Sequence, residues 1–455
     1  MSLNAALLHS LSGLKTTQSQ IDVVSRNIVN ATTPGYTRKI RPQESRVVAG
    51  HNMGVDLGQL TRTVDAGVQL AMRQTASKVA DYETIDAFQA KLETTLGKPG
   101  ESTSLSGRLN ALGNTFESLA ANPDVPVNRS LVISAAENVV QSLHGIYAAT
   151  ETEMVHATAE LNSAIDRVNE TLEQIDHLNG MISSRTATQQ ETADLEDQRD
   201  VLLDQLAQEI DFKYFSREHG QIVIFTSDGK ILLDDEVKTL SVTGAGVVEQ
   251  TVDGVTRQLT FNSGRVHAFQ DIRDNRIPDL RDQLDDIARA VTEELVAIDV
   301  ELFNVGGATS YTPADLAGYA ATIEVNDAIK AAPSLLLGTP PKEAGDNTVP
   351  LAAAALFARD DLTFSAAGLS TSNGITGAAT EVIAGFANDR VQNGTQMSYY
   401  STLKESLQRQ FHNQSTVSLD EEMSTTIVLQ TSYMAATRMV QTTQRLFDAL
   451  FEMVR

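Results

Sequence analysis

The sequence predicts a mainly α-helical protein that also contains one small β-rich module and one irregular, mixed insert. Most of the chain places apolar residues at the three- and four-residue spacing of an amphipathic helix, whereas residues 212–264 change to the two-residue period of strands. The 455 residues include 14 Phe, 9 Tyr and no Trp, and 41% are hydrophobic. This composition favours helical cores of Leu, Ile, Val and Ala over an all-β sandwich.

Charge and composition exclude several classes of protein. Lys and Arg number 35 against 59 Asp and Glu, and the formal net charge of −24 argues against a nucleic-acid binder. The absence of cysteine excludes disulfides and thiolate-ligated metals. No apolar run approaches the ~20 residues of a membrane span, and polar residues interrupt any signal-peptide core before Lys15. We expect no membrane insertion, and either a cytoplasmic protein or export without a cleaved signal.

The charge is unevenly distributed along the chain. Residues 1–64 contain seven basic and three acidic residues, a net of +4, and residues 415–455 carry −2, which leaves −26 for the middle. A basic arm before an acidic body is typical of a solvated surface. The alternative is a surface that orients subunits or a partner.

The first thirty residues predict an amphipathic helix. Gln18 and Ser25 interrupt its apolar seam, which otherwise follows the a/d spacing of a coiled coil. Residues 30–36 end the helix, because Pro34 disfavours the helical conformation at Thr33 and Gly35 permits a turn. The seam residues are Leu7, Leu11, Leu14, Ile21 and Ile28.

The C-terminal region mirrors this pattern. Ser418 is the predicted N-cap, and Glu421 three residues later completes a capping box at the positive end of the helix dipole. The apolar side of this helix consists of Met423, Ile427, Met434, Val440, Phe447, Leu450 and Val454.

Two arrangements of the terminal helices fit these patterns. Either they pack on the body of a globular protein, which periodicity alone favours, or they pair with each other or with other subunits. Their positions at the ends of the sequence, and the many Thr and Gln residues of the C-terminal helix, favour ordering on assembly, because such helices are marginal alone.

The middle of the chain predicts a helical body around the β-rich module. Asp-Gly pairs at 228–229 and 253–254 predict hairpin turns within that module. Residues 304–377 are rich in Gly, Pro, Ala and Thr, which is typical of an inserted module or of long exposed loops. Helices are expected at about 64–96, 105–119, 128–182 (one long helix or two), 195–210, 278–303 and 380–411.

The sequence does not indicate a catalytic site. Gly244 and Gly246 lack the third glycine of a phosphate-binding loop, and no two of the eight histidines lie four apart on one helix face. The carboxylate runs at 234–236, 285–286 and 293–294 are interpreted as solvated faces, although paired carboxylates also serve glycoside hydrolysis. We therefore predict no enzyme activity, no cofactor and no metal.

The N-terminal region resembles a known family. Residues 12–14 and 26–38 are similar to the N-terminal signature of bacterial flagellar rod, hook and hook-associated proteins, and residues 54–57 and 60–65 continue the similarity. Arg26 and Val29 stand where the family commonly has Asn and Ala. The signature positions in this sequence are Asn27, Asn30, Pro34, Gly35 and Tyr36.

The C-terminal region resembles the hook-associated members of the same family. The similarity covers residues 417–423, which include Leu419, then Tyr433 and residues 447–450. Residues 195–200 and 264–284 extend it into the body, whereas residues 429–433 lack the family's Gln-rich pattern.

The resemblance implies that the terminal helices pair into a coiled-coil inner layer of a hollow helical assembly, with the middle domains outside. The seam and signature residues named above would then mediate assembly. The expected domains are 1–64 with 415–455 for assembly, 65–211 with 265–303 and 378–414 as the helical body, 212–264 as the β-rich module, and 304–377 as an irregular outer insert.

The function implied by the resemblance is structural, at the junction between the flagellar hook and filament. The expected partners are further copies of the chain, hook protein, hook-associated protein 3, and an export chaperone at the C-terminal helix. Export would proceed without a cleaved signal to the extracellular flagellum. The alternatives are hook-associated protein 3 or hook protein itself, an acidic secreted hydrolase, and a cytoplasmic coiled-coil scaffold.

Overall fold

The computed structural model describes residues 3–48, 51–305 and 317–453. Within these ranges the fold is mainly helical, which confirms the predicted class. None of the described helices is both long enough and apolar enough to cross a membrane. The helices are α1 (Leu3–Asn30), α2 (Ala66–Leu96), α3 (Leu105–Ala121), α4 (Pro126–Ala187), α5 (Ala193–Glu209), α6 (Arg265–Asp271), α7 (Ile277–Val296), α8 (Tyr319–Thr322), α9 (Asp327–Ala331), α10 (Thr348–Phe357), α11 (Ile375–Ser415) and α12 (Leu419–Met453).

The strands of the described ranges form small antiparallel sheets. In chain order, the strands are β1 (Lys39–Ile40), β2 (Gln43–Val48), β3 (His51–Leu57), β4 (Thr61–Arg62), β5 (Lys213–Ser216), β6 (Ile222–Phe225), β7 (Ile231–Leu233), β8 (Leu240–Val242), β9 (Val248–Val252), β10 (Val255–Gln258), β11 (Phe303–Val305), β12 (Ile323–Val325), β13 (Leu362–Thr363) and β14 (Ser372–Asn373). The two-stranded pairs are β1 with β4, β2 with β3, β11 with β12, and β13 with β14.

The body is built around α4, one continuous helix of 62 residues, which at 1.5 Å per residue is about 93 Å long. Its buried stripe includes Leu161, Ile165, Val168 and Leu172 at helical spacing. Helices α2, α3, α5, α6 and α7 all contact α4, and α11 packs along α2. Together these elements enclose one apolar core, so the body is held by hydrophobic burial.

The β-rich module consists of two three-stranded sheets, in the orders β5-β6-β7 and β10-β9-β8. Asp253 and Gly254 form the β9–β10 turn with φ values of 52° and 76°, and Val252 pairs with Val255, as the Asp-Gly signal predicts. Strand β9 lies within the predicted β-rich module, although Glu249 and Gln250 obscure its apolar alternation.

The described part of the insert packs against the helical body. Leu336, Val349, Leu356 and Phe364 lie in the same apolar core as the residues of α4. The helix predicted to reach residue 303 ends instead at Val296, and Phe303–Val305 pairs with β12. Residues 306–316 of the predicted insert lie outside the described ranges.

The interpretation of residues 285–286 as a solvated acidic face is wrong, because both carboxylates are buried. Adjacent residues on a helix point in different directions, and here each carboxylate binds a different part of the insert. Asp285 accepts hydrogen bonds from the Gly318 and Ala320 backbone N–H groups, both at 2.7 Å. Asp286 accepts from the Ser365 and Ala366 backbone N–H groups at 2.5 and 2.9 Å. The hydrogen bonds of Asp285 and Asp286 therefore attach the insert to α7.

We expect Asp286→Asn to destabilise the protein by about 1–3 kcal/mol, because charge-assisted hydrogen bonds to the insert are weakened. Burial alone would raise the pKa of Asp286, but hydrogen bonds from Arg289, Ala366 and Ser365 outweigh burial and lower that pKa. The ionised carboxylate therefore stabilises the fold at neutral pH, and this contribution is lost as the pH falls through the lowered pKa.

Urea denaturation at pH 7 and at pH 3 measures both effects. The control is Asp282→Asn on the exposed side of the same helix, which should change the unfolding free energy by less than about 0.5 kcal/mol. Equal losses for the two variants at pH 7 would contradict the assigned role.

Candidate assembly site at the terminal helices

The two terminal helices pack against each other in antiparallel orientation. Asn27, near the end of α1, donates from Nδ2 to Glu422 Oε2, near the start of α12, at 3.3 Å. One row of α12 is buried or half-buried against α1 at alternating spacings of four and three, the seam of a coiled coil. The row consists of Glu422, Thr426, Leu429, Tyr433, Ala436, Val440, Thr443 and Phe447.

The structure divides the predicted apolar residues of α12 into two groups. Tyr433, Val440 and Phe447 lie on the row that packs against α1. Leu419, Met423, Ile427, Met434 and Leu450 are exposed instead, with 60% exposure at Met423, 64% at Ile427 and 54% at Met434. Val454 lies outside the described residues. Helix α12 therefore presents uncovered apolar surface beside its seam.

The predicted seam of α1 is only partly covered. Leu7, Leu14, Ile21 and Ile28 are half-buried and Leu11 is exposed. The buried residues are Thr16, Thr17, Val23, Val24 and Asn27. Because α1 contacts β1 and β3 as well as α12, its most buried face is displaced from the a/d seam.

Asn27 joins the end of α1 to the segment that follows its turn. Its side chain bonds both backbone groups of Lys39, with Nδ2 donating to the carbonyl at 2.9 Å and Oδ1 accepting from the N–H at 3.1 Å. The Tyr36 hydroxyl also donates to Asn27 Oδ1 at 3.0 Å. Burial, together with Asp194 and Asp197, raises the pKa of Tyr36 to about 12, so this donor keeps its proton at neutral pH.

Lys39 is a buried charge with only 2% of its surface exposed. Its Nζ lies 2.5 Å from Asp194 Oδ1 and 3.0 Å from Asp197 Oδ2, at the start of α5. The same Nζ lies 3.6 Å from the centroid of the Tyr36 ring, a cation–π contact. Asp197 also accepts from Thr37 Oγ1 at 2.6 Å. We call Asn27, Tyr36, Lys39, Asp197 and Glu422 the polar junction.

An ion-pair chain extends from the polar junction into the body. Arg62 donates to Asp197 Oδ1 at 3.0 Å and to Asp200 Oδ2 at 2.5 Å, and Arg73 on α2 binds Asp200 at 2.9 Å and Asp204 at 2.7 Å. Burial alone would raise the pKa of Asp200, but Arg73 and Arg62 outweigh burial and lower that pKa. The carboxylates of α5 therefore connect the N-terminal segment to the body helices.

The start of α12 is fixed by Arg38. Its Nε lies 2.7 Å from Glu422 Oε1 and its Nη1 lies 3.4 Å from Glu421 Oε2, while its backbone N–H donates to the Ser415 carbonyl at 2.8 Å. Ser418 Oγ accepts from the Glu421 backbone N–H at 3.5 Å, so Ser418 occupies the predicted capping position. The carboxylate of Glu421 pairs with Arg38.

The predicted turn of residues 33–36 contacts α5. Gly35 has φ of 78°, and a Cβ at this position would overlap Val201 Cγ2. Pro34 is exposed. Asn30 makes only local bonds: its Nδ2 donates to the Arg26 carbonyl at 2.9 Å, and its Oδ1 accepts from the Thr33 hydroxyl at 3.3 Å. Of the two signature asparagines, Asn27 therefore makes the tertiary contacts.

Lys39, Arg62, Asp197 and Glu422 were not predicted as site residues. A buried lysine or glutamate carries no sequence pattern that distinguishes it from a solvated one. The available signal was the family resemblance at residues 195–200, which include Asp197 and Asp200. Within the described ranges, no group of three or more His, Asp or Glu residues could hold a metal ion.

We expect Asn27→Ala to destabilise the protein by about 2–4 kcal/mol, because four hydrogen bonds are lost and buried backbone groups of Lys39 become unpaired. The matched control is Asn30→Ala, which removes two exposed local bonds, to the Arg26 carbonyl and from the Thr33 hydroxyl, and should cost less than about 0.5 kcal/mol. Urea denaturation compares the two variants. Similar losses would contradict the polar junction.

Gly35→Ala tests the docking of the turn on α5. Gly100→Ala isolates the cost of positive φ, because Gly100 has φ of 82° and open space around it, and should cost about 1–2 kcal/mol. Gly35→Ala adds overlap with Val201 and should cost about 1–3 kcal/mol more. In a double-mutant cycle measured by urea denaturation, Val201→Ala should recover that difference. Additive costs would refute the contact.

Comparisons with known proteins identify three segments of this chain that match models of flagellar protein families. The model described as the flagellar hook-associated protein FlgK helical domain matches residues 89–301. The model of the flagella basal body rod protein matches residues 7–37, and that of the flagellar basal body rod FlgEFG protein C-terminal region matches residues 408–453. These matches include α1, most of the body and α12.

Three curated relatives are named flagellar hook-associated protein 1. The Salmonella typhimurium protein is 25% identical over 51% of this chain and 43% of its own length. The Bacillus subtilis protein is 23% identical over 49% of this chain and 46% of its own length. The Escherichia coli protein is 23% identical over 64% of this chain and 56% of its own length. The chain therefore spans about half the length of these relatives.

A solved structure described as the flagellar hook junction protein FlgK from Burkholderia pseudomallei is 19% identical to this chain, with a TM-score of 0.46 over 52% of this chain and 47% of that one. The family models and the curated relatives confirm the resemblance seen at both ends and in the body of the sequence. The chain is therefore similar to flagellar hook-associated protein 1 (FlgK) over its helical body, and its two ends are similar to flagellar basal body rod proteins.

Proposed function

We propose that this chain is a structural junction protein of the bacterial flagellum, which connects hook to filament by helical self-stacking. The observation that carries the proposal is the uncovered apolar surface of α12. Met423, Ile427 and Met434 are more than half exposed although their helix is already paired with α1. Apolar surface of this kind marks a site of protein–protein contact.

The energetics of α12 support assembly through this surface. The five side chains Leu419, Met423, Ile427, Met434 and Leu450 are each about half exposed. Covering them would contribute about 4–8 kcal/mol before the cost of association, given ~1.5–3 kcal/mol for full burial of one fully exposed side chain. The polar junction holds the helix pair against the body, so the assembly surface has a defined position.

We propose three neighbours besides further copies of the chain. These are hook protein on one side, hook-associated protein 3 on the other, and an export chaperone that covers α12 before assembly. The FlgK helical-domain match supports a hook-associated role over the other axial roles, because the rod models match only the terminal segments. The proposed location is the extracellular flagellum, reached without a cleaved signal.

We propose no catalytic activity. The relatives are named for a flagellar part and not for a reaction. Asp285 and Asp286, one of the three carboxylate clusters that the hydrolase alternative could use, bind backbone N–H groups of the insert. These bonds give the pair a role in the fold.

The double variant Ile427→Asp with Met434→Asp tests the proposed assembly surface. Because both side chains are exposed in the single chain, we expect the urea midpoint to stay unchanged, whereas incorporation into flagella should fall at least about tenfold. Incorporation is measured by immunoblotting of sheared flagella from the bacterium that encodes the chain, and swimming is scored in soft agar.

Two further variants control this experiment. Ser424→Asp introduces the same charge at an exposed polar position of α12 and should leave incorporation unchanged. Phe447→Asp disrupts the row packed against α1 and should lower both stability and incorporation. Normal incorporation and swimming of the Ile427 and Met434 double variant would overturn the proposal.

A further inference from the structure

A cavity lies between α2, α7 and α11, within the helical body. It has a volume of ≈310 Å³. Its buried lining is apolar and includes Phe88, Leu280 and Val382, and the half-buried Phe386 also lies in its wall. Because cavities of about 300 Å³ and larger hold small ligands, this one is large enough for a small organic group.

Gln89 is a buried polar residue in the wall of this cavity. Only 1% of its surface is exposed, and its Oε1 accepts no hydrogen bond from any residue that the structure describes. Nearly all buried acceptors in proteins are paired, because a buried acceptor without a donor is costly. The carboxamide of Gln89 therefore marks the cavity as a site for a group that donates hydrogen bonds.

Acidic side chains also line the cavity. Asp279 and Asp389 are exposed at its edge, and neither forms an ion pair within residues 3–48, 51–305 and 317–453. The cationic residue of the described lining, Arg276, already pairs with Asp271, and its Nε lies 2.6 Å from Oδ2. The uncompensated charge of the cavity is thus negative, so the cavity favours a cation over a neutral donor.

Two more acceptors belong to the lining. Glu381 accepts from the Ser370 backbone N–H at 3.0 Å, and this bond lowers the pKa of Glu381, which is therefore ionised at neutral pH. Gln283 donates from Nε2 to the Ala367 carbonyl at 2.7 Å, which leaves its Oε1 available as an acceptor. A cation with several N–H donors can satisfy these groups together.

We propose that this cavity binds an alkyl guanidinium, which is either the side chain of an arginine from a neighbouring protein or a free small molecule. A guanidinium carries five N–H donors in a planar fork, whereas an ammonium carries three on one atom. The methylene stem covers the apolar lining, and the rings of Phe88 and Phe386 favour a nearby cation. No three acidic or histidine side chains of the described residues are arranged to hold a metal ion, which favours an organic cation.

Binding of n-butylguanidinium to the purified full chain tests the proposal. Saturation-transfer NMR measures the dissociation constant, which we expect to be about 1 mM or lower for a ligand of this size. n-Butylammonium has the same stem with fewer donors and should bind at least about fivefold more weakly. Because the measurement uses the single chain, its outcome is independent of the proposed assembly.

Two glycines of α11 provide a matched pair of variants. A Cβ on either Gly385 or Gly394 would meet no atom within 4 Å, but Gly385 lines the cavity and Gly394 does not. Gly385→Leu should therefore fill the cavity and weaken binding at least about tenfold, whereas Gly394→Leu should leave the dissociation constant within about twofold of the parent. Both changes place leucine in the same helix, so an effect on helix stability would be common to the two.

Gln89→Leu separates a role in binding from a role in folding. Replacing an unpaired buried acceptor with an apolar side chain of similar size should leave the urea midpoint unchanged or higher. The same variant should weaken binding of n-butylguanidinium about tenfold, because an acceptor for its N–H groups is lost. A lower urea midpoint with unchanged binding would overturn the proposal.

N-acetyl-arginine amide distinguishes the two sources of the guanidinium, because this probe carries the peptide groups of a protein chain. Binding within about fivefold of n-butylguanidinium supports an arginine side chain, and weaker binding supports a free small molecule. No binding of n-butylguanidinium at about 10 mM would overturn the proposal. Equal binding by the two glycine variants, or binding of n-butylammonium as tight as that of n-butylguanidinium, would overturn it too.

Discussion

The ion pair between Lys39 and the acidic start of α5 determines how the terminal helices are placed. The Nζ of Lys39 pairs with Asp194 and Asp197 and lies over the Tyr36 ring, and almost none of the lysine side chain is exposed to solvent. A buried charge is costly unless it is paired, so an arrangement of the turn, α1 and α5 that separated Lys39 from these carboxylates would be destabilised. Asn27, which bonds the backbone of Lys39, also donates a hydrogen bond to Glu422, and this bond links the start of α12 to the same cluster.

The molecule combines two kinds of attachment. The body helices share one continuous apolar core, whereas the terminal helices are attached to the body mostly by hydrogen bonds and ion pairs, with Val23, Leu60 and Ala193 as a small apolar cluster. Hydrophobic contacts tolerate sliding, but paired charges require fixed geometry. The polar attachment leaves apolar surface on α12 available to other molecules.

Helix periodicity was sufficient to predict α1, α2, α3, α11 and α12, because each buries a stripe with a regular repeat. The turn at Pro34 and Gly35 was predictable from backbone chemistry. Burial of Asp285, Asp286 and Lys39 was not, because the groups that cover and pair them include backbone N–H groups of the insert and carboxylates of α5, which lie 30 or more residues away in the sequence. The division of α12 into a covered and an uncovered side likewise depends on where α1 lies.

The continuity of α4 has a mechanical consequence. Sharp bends in helices arise at prolines, at π-bulges or where the backbone ladder is interrupted, and α4 contains proline only at its first residue, Pro126. Its end near α5 lies beside the polar junction, and its beginning lies about 93 Å away. A load applied to the terminal helices is thus carried along one uninterrupted hydrogen-bonded column, and the body resists bending as a unit.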